Sequence, residues 1–325
     1  MPNSGQFRKP YLRSRDMSLD SDRCFLCGAK LGKRRSDEDV FPKWLLRNYS
    51  AWDKKLTLLN GTDISYRRLK IPCCKNCNNR HLSRIEGRIA EAMRQGYEGV
   101  TRLPRLLLYL WMAKVFYGIH VREIQLPSSH AGQMGFLQAE HFRHLQTIHM
   151  LLQAARGRAL PRIFPASIFV LRLQPFPPEH ETFEYIDSLR ARTVAFRLND
   201  VGIISCLSDW GAVEALDLDA FDTAKSLALH PVQFMELAAW AFYYASLIKD
   251  PDLMIGHGRR RFEIMPQISE DGPEFDTPDT DEFIEVLGDL LHQSPDLLRA
   301  GSGFRTTLTK DGRPHHMPID SSPPQ

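Results

Sequence analysis

No stretch of this 325-residue chain is apolar for long enough to cross a membrane. The most hydrophobic run, residues 106–117, is about a dozen residues and contains Lys114, against the roughly 20 that a spanning helix needs. The N-terminal arginines and lysines are followed by no apolar stretch, so no signal peptide is predicted. A cytoplasmic protein with no membrane partner is the expectation. Cysteine is also scarce, six residues in all, which excludes a disulfide scaffold. No internal repeat is present, and no nucleophile motif surrounds Ser205 or Cys206. A hydrophobic content of 43% with 25% charged residues is ordinary for a folded protein and excludes a wholly disordered one.

The few cysteines are not scattered. Four fall in two pairs, Cys24-x-x-Cys27 and Cys74-x-x-Cys77. Each such turn donates two thiolates, and two turns complete the tetrahedral set that Zn²⁺ prefers. A closed four-thiolate site leaves no open position, so this ion would hold the fold and not catalyse. Cys73 leaves open the spacing Cys73-x-x-x-Cys77, although the matching first pair favours Cys74. Gly28 lets the first knuckle curl so that amides face the sulfurs.

Charge is equally uneven. The net charge is +3, yet residues 1–105 hold 23 Lys and Arg against 11 Asp and Glu, and the rest hold 19 against 28. A basic third joined to an acidic remainder suggests a polyanion-binding module on a different scaffold. The polar, basic residues 1–21 read as a mobile arm, residues 22–98 as a zinc-stapled domain and residues 99–300 as a mixed helical and β domain. Residues 301–325, rich in Gly, Ser and Pro, read as a disordered tail. The fold class is α+β.

Local patterns fill in these domains. Pro42 starts a helix through Trp44, Leu45 and Leu46. Asn60-Gly61 between two β-prone runs predicts a hairpin, its second strand continuing through Leu69 and Ile71 into Cys74. A helix starting near Cys77 carries Leu82, Ile85, Ile89 and Met93 on one face and Arg80, Arg84 and Arg88 on another. Residues 103–118 form a buried helix with Gly118 near its end. His141, His144 and His149 read as a solvated face of a further helix. Strands are predicted around 167–171, 183–186, 193–198 and 202–207. An apolar helix follows over 231–248, then an edge strand within 253–265 and a final helix over 281–292.

The order Cys24-x-x-Cys27, Glu38-Asp39-Val40-Phe41-Pro42, Cys74-x-x-Cys77-Asn78 resembles the zinc-containing members of the HNH endonuclease family, whose fold is the ββα-metal finger. The resemblance covers about residues 22–95. It implies a metal-dependent endonuclease hydrolysing phosphodiester bonds in DNA or RNA, of the kind found among anti-phage and mobile-element effectors. It also implies that Glu38 and Asn78 hold a catalytic Mg²⁺ or Mn²⁺, with Asn79 as the alternative to Asn78. Asp39 stands where the family has its general-base histidine, and Arg68 or Leu69 where it has its middle asparagine. A free aspartate is a weaker base than imidazole by roughly 2.5 units. Three outcomes follow: Asp39 is the base; Asp39 joins Glu38 as a ligand and His81, three residues after Asn78, or a metal-bound hydroxide supplies the base; or the site is degenerate and only binds nucleic acid. Arg80, Arg84, Arg88 and Lys43 are the candidate phosphate contacts. The partner is then nucleic acid, DNA foremost, with a regulatory, protein-partner or self-association role left to residues 99–300.

Overall fold

The structure, a computed structural model, describes residues 22–58, 61–125, 139–175, 183–258, 261–301 and 303–318; the basic arm assigned to residues 1–21 lies outside them. The protein is mixed α and β. It divides into two compact units, neither contiguous in sequence. The first comprises 1–88, 106–165 and 251–268, the second 89–105, 166–250 and 269–325. The N-terminal cysteine-bearing segment therefore shares its unit with chain from beyond residue 98, because its small elements find their core against later helices.

In the first unit, β1 (Glu38–Asp39) precedes α1 (Lys43–Asn48), which buries Leu45 and Leu46 and has Pro42 as its N-cap. The predicted hairpin is present as β2 (Lys55–Thr57) paired with β3 (Asp63–Ser65). Its second strand does not run on to Cys74. A 3-10 turn at Tyr66–Arg68 redirects the chain, and β4 (Lys70–Ile71) pairs antiparallel with β1 instead, Glu38 opposite Ile71. Leu69, fully buried, fixes this path, its carbonyl accepting from the Val40 amide at 2.9 Å.

The next helix opens with a π-helical turn, Cys77–Leu82, and continues as α2 (Ser83–Arg94). Leu82, Ile85, Ile89 and Met93 are all buried, as their spacing requires. After α3 (Gly96–Thr101), which belongs to the second unit, α4 (Arg105–Gln125) is buried along most of its length. Gly118 does not end this helix. A Cβ there would meet Val40 Cγ2 at 3.0 Å and Ile71 Cδ1 at 3.3 Å, so this glycine is a point of close approach to β1 and β4 and not a stop. α5 (Ala139–Leu152) is followed by a 3-10 turn, Gln153–Arg156, and by β5 (Ala159–Pro161). The region expected to supply one edge strand forms two, Leu253–His257 and Phe262–Pro266, the latter parallel to β5.

The second unit is organised on an antiparallel sheet of β6 (Ser167–Arg172), β7 (Phe183–Ser188), β8 (Thr193–Leu198) and β9 (Val201–Cys206), in the order β6-β9-β8-β7. Short helices α6 (Ala212–Ala215) and α7 (Asp219–Lys225) follow, then the apolar α8 (Pro231–Leu247). Asp209 anchors the turn before α6, accepting from the amides of Ser167 at 2.6 Å and Val213 at 3.0 Å. α9 (Thr280–Leu291) is not the last helix, since α10 (Pro295–Leu298) follows it.

Residues 303–318 are not a disordered tail. Leu308 is buried in the core with α8, and two buried polar side chains of α8 hold the backbone around it. Gln233 Nε2 donates to the carbonyls of Thr307 and His315 at 2.8 and 2.7 Å. The Glu236 carboxylate accepts from Thr306 Oγ1, the Thr307 amide and Thr307 Oγ1, each at 2.6 Å. Composition missed this because one buried leucine and a few directed hydrogen bonds order a segment whose average is polar.

Candidate metal centre and the Lys114 cluster

Both cysteine pairs form tight knuckles. Gly28, at φ 71°, returns its amide to the Cys24 carbonyl at 2.9 Å. The Cys77 amide donates to Cys74 Sγ at 3.4 Å, and the Asn78 amide to the Cys74 carbonyl at 3.0 Å. The knuckles are brought together by chain pairing: the Phe25 amide bonds the Pro72 carbonyl at 2.8 Å, and the Ser36 amide bonds the Cys73 carbonyl at 2.8 Å. The result gathers the sulfurs of Cys24, Cys27, Cys74 and Cys77 within 4.8 Å of one another. Cys27 and Cys74 are 3.8 Å apart at sulfur, which matches the edge of about 3.8 Å that a tetrahedron of roughly 2.3 Å metal–sulfur bonds requires. The four can hold a metal ion. Among the described residues they are the one group of three or more His, Cys, Asp or Glu side chains gathered closely enough to share one.

Helix α5 braces the first knuckle from behind. His149 Nε2 bonds the Phe25 carbonyl at 2.8 Å, and Gln153 Nε2 donates to the Leu26 carbonyl at 2.7 Å. This corrects the reading of the α5 histidines as a solvated face: His144 and His149 are both buried, and His141 is partly so.

Glu38 and Asp39, expected to belong to a hydrolytic centre, are engaged in ion pairs. Glu38, on β1, is buried and ion-paired with Lys114 of α4 at 2.9 Å. The same ammonium reaches Glu86 of α2 at 2.6 Å and donates to the Asp39 carbonyl at 2.8 Å. One buried cation on α4 thus satisfies two carboxylates and a backbone oxygen from two other elements, β1 and α2. Burial pushes the Glu38 carboxyl up to about 7; Lys114 pulls it down and Glu86 pushes it up. Burial also works against the Lys114 charge, but Glu38 and Glu86 together hold the ammonium above its ordinary value. Lys114 therefore stays charged, and Glu38 is the partner that titrates near neutrality.

Asp39 points away from that cluster and pairs with Lys70 at 3.3 Å and Lys43 at 3.7 Å. Asn78 uses its amide nitrogen to tie the helix start to the loop before β1, donating to Ser36 Oγ and the Asp37 carbonyl, both at 3.1 Å. His81 is half-buried. Burial lowers its basicity first, and Arg156, Arg80 and Arg84 add to that, so its imidazole is neutral at pH 7. Arg80, Arg84, Arg88 and Lys43 are exposed.

The sequence reading missed Lys114 and Glu86 as site residues. The visible signal was a lone lysine in the most apolar helix of the chain. Such a charge must find a partner or lose its proton, but nothing in the sequence said which acid that partner would be.

No protein-family model, no curated protein and no solved structure matches this chain.

Proposed function

We propose that the first unit is a zinc-stapled module of the ββα-metal kind that binds nucleic acid without hydrolysing it. The observation that carries this reading is the position of Lys114. Its ammonium pairs with the Glu38 carboxylate, the group expected to hold a catalytic Mg²⁺ or Mn²⁺, and it is held there by Glu86 as well. A divalent ion would have to displace a buried, hydrogen-bonded cation that already meets the same electrostatic need.

The metal staple is Zn²⁺. An all-thiolate, tetrahedral, redox-silent set suits that ion best, and it would fasten Cys24–Cys27 to Cys74–Cys77 with no position left for substrate. The antiparallel pair β1–β4 followed by a helix beginning at Cys77 supports the ββα assignment. Nucleic acid is the partner favoured by the basic balance of residues 1–105 and by the exposed arginines 80, 84 and 88. In the hydrolytic alternative, Lys114 would leave Glu38, and Asn78 would offer the ion its Oδ1, its bonds to Ser36 and Asp37 being made by Nδ2.

The test is incubation of the protein with plasmid DNA and with RNA in Mg²⁺, Mn²⁺ or EDTA, together with gel-shift titration over a range of salt. The expected outcome is retarded, uncut nucleic acid. Replacing Arg80, Arg84 and Arg88 together by Ala should reduce the slope of log affinity against log salt by roughly 2–3, about 0.9 for each phosphate no longer neutralised. Metal-dependent cleavage by the parent that Glu38→Ala abolishes would establish the hydrolytic alternative. Absence of any retardation would remove the nucleic-acid reading altogether.

A further inference from the structure

A fifth thiol stands against the metal centre. Cys73 is fully buried, and its sulfur lies 3.9 Å from Cys24 Sγ. That separation equals, within a tenth of an ångström, the 3.8 Å between Cys27 and Cys74. It is also the sulfur–sulfur edge of a tetrahedral thiolate site, about 3.8 Å. Neighbouring residues in an extended segment ordinarily point to opposite sides. Here Cys73 and Cys74 both direct sulfur toward the first knuckle, Cys73 to Cys24 and Cys74 to Cys27.

The backbone around Cys73 is fixed on both sides. The Pro72 carbonyl accepts from Phe25, the Cys73 carbonyl accepts from Ser36, and Cys74 forms a β-bridge with Arg35. The Cys73 thiol donates a hydrogen bond to the Cys74 carbonyl at 3.6 Å. A small apolar residue would fill this buried place without adding a reactive sulfur beside a ligand.

We infer that Cys73 is a reserve ligand: when Cys74 leaves the ion, Cys73 takes the vacated position and the ion keeps four thiolates. In the exchange the Cys74–metal bond breaks as the Cys73–metal bond forms; an alkylated Cys74 leaves as a neutral thioether, and the Cys73 thiol gives its proton to water. Total charge and oxidation state are unchanged. The inference rests on the zinc reading above: four sulfurs lie within 4.8 Å of one another, and Cys73, outside that set, stands beside it through Cys24. Its use is retention of the ion when Cys74 is lost to alkylation by an electrophile, whose leaving group departs as the anion.

The test loads the full chain with Co²⁺ in place of zinc and reads metal stoichiometry and the sulfur-to-cobalt absorption, whose intensity follows the number of thiolates bound. The parent should take one Co²⁺ per chain. Cys74→Ala should keep that Co²⁺ with the band at parental intensity. Cys73→Ala with Cys74→Ala should lose about a quarter of the band, one thiolate of four. A Cys74→Ala band already reduced to that of the double variant would overturn the inference, as would Cys74→Ala losing the ion or failing to fold in Co²⁺ while the parent holds both. Failure of the parent to bind Co²⁺ would remove the zinc reading itself, a distinguishable result.

Discussion

The four cysteines and the Glu38–Lys114–Glu86 cluster lie in the same unit and meet the same difficulty, negative charge gathered where water is scarce. The thiols gather within 4.8 Å of one another, close enough to hold an external cation. The carboxylates enclose a cation that the chain supplies itself. With the proposed Zn²⁺ bound, the first arrangement would tie the fold to metal supply. The second ties it to proton concentration, because Glu38 titrates near neutrality. A sequence motif that names metal ligands therefore names only donors, and the neighbouring helix decides whether the cation is an ion or an ammonium.

Removing the ion should have the largest effect. Chelation, or Cys24→Ser, is expected to abolish cooperative unfolding of the first unit, since structural zinc contributes on the order of 10 kcal/mol in small domains. Circular dichroism melts with and without chelator check this, and an unchanged melt would erase the contrast between the two clusters. Next in size, Lys114→Met leaves the buried Glu38 and the partly buried Glu86 uncompensated and should cost about 3–5 kcal/mol by urea titration. Combining it with Glu38→Gln and Glu86→Gln should recover most of that deficit; a triple variant as unstable as the single one would mean that Lys114 acts through packing.

The smallest effect is on pH. The folded Glu38 carboxyl titrates at about 7, above its ordinary 4.5. Its contribution is therefore full below about pH 4.5 and is lost as pH rises towards 7, a change on the order of 3 kcal/mol. Lys114 is raised above its ordinary 10.5, so its contribution holds throughout that window. Denaturation midpoints across pH 4.5–8 should fall in the parent and flatten in Glu38→Gln. Equal slopes would place the titration elsewhere.

The cysteine centre was legible because its chemistry is local: each pair is one turn, and the spacing alone brings two sulfurs together. The helix after Cys77 was legible for a similar reason, its apolar residues recurring with the helical period. The Lys114 cluster was not, because the pairing joins residues 38, 86 and 114 through tertiary packing, which no local pattern encodes. Gly118 misled for the opposite reason. A glycine late in an apolar run has the same appearance whether it ends a helix or lets one approach a strand, and only the proximity of Val40 and Ile71 distinguishes the two.

The C-terminal segment held by α8 has a practical bearing on how the protein is cut and tagged. Average polarity would recommend trimming the chain near residue 300. Trimming there would strip Glu236 of all three of its hydrogen-bond donors and remove Leu308 from the core, leaving a buried carboxylate unsatisfied. A shortened chain should run to residue 318 at least, and an affinity tag belongs beyond that point.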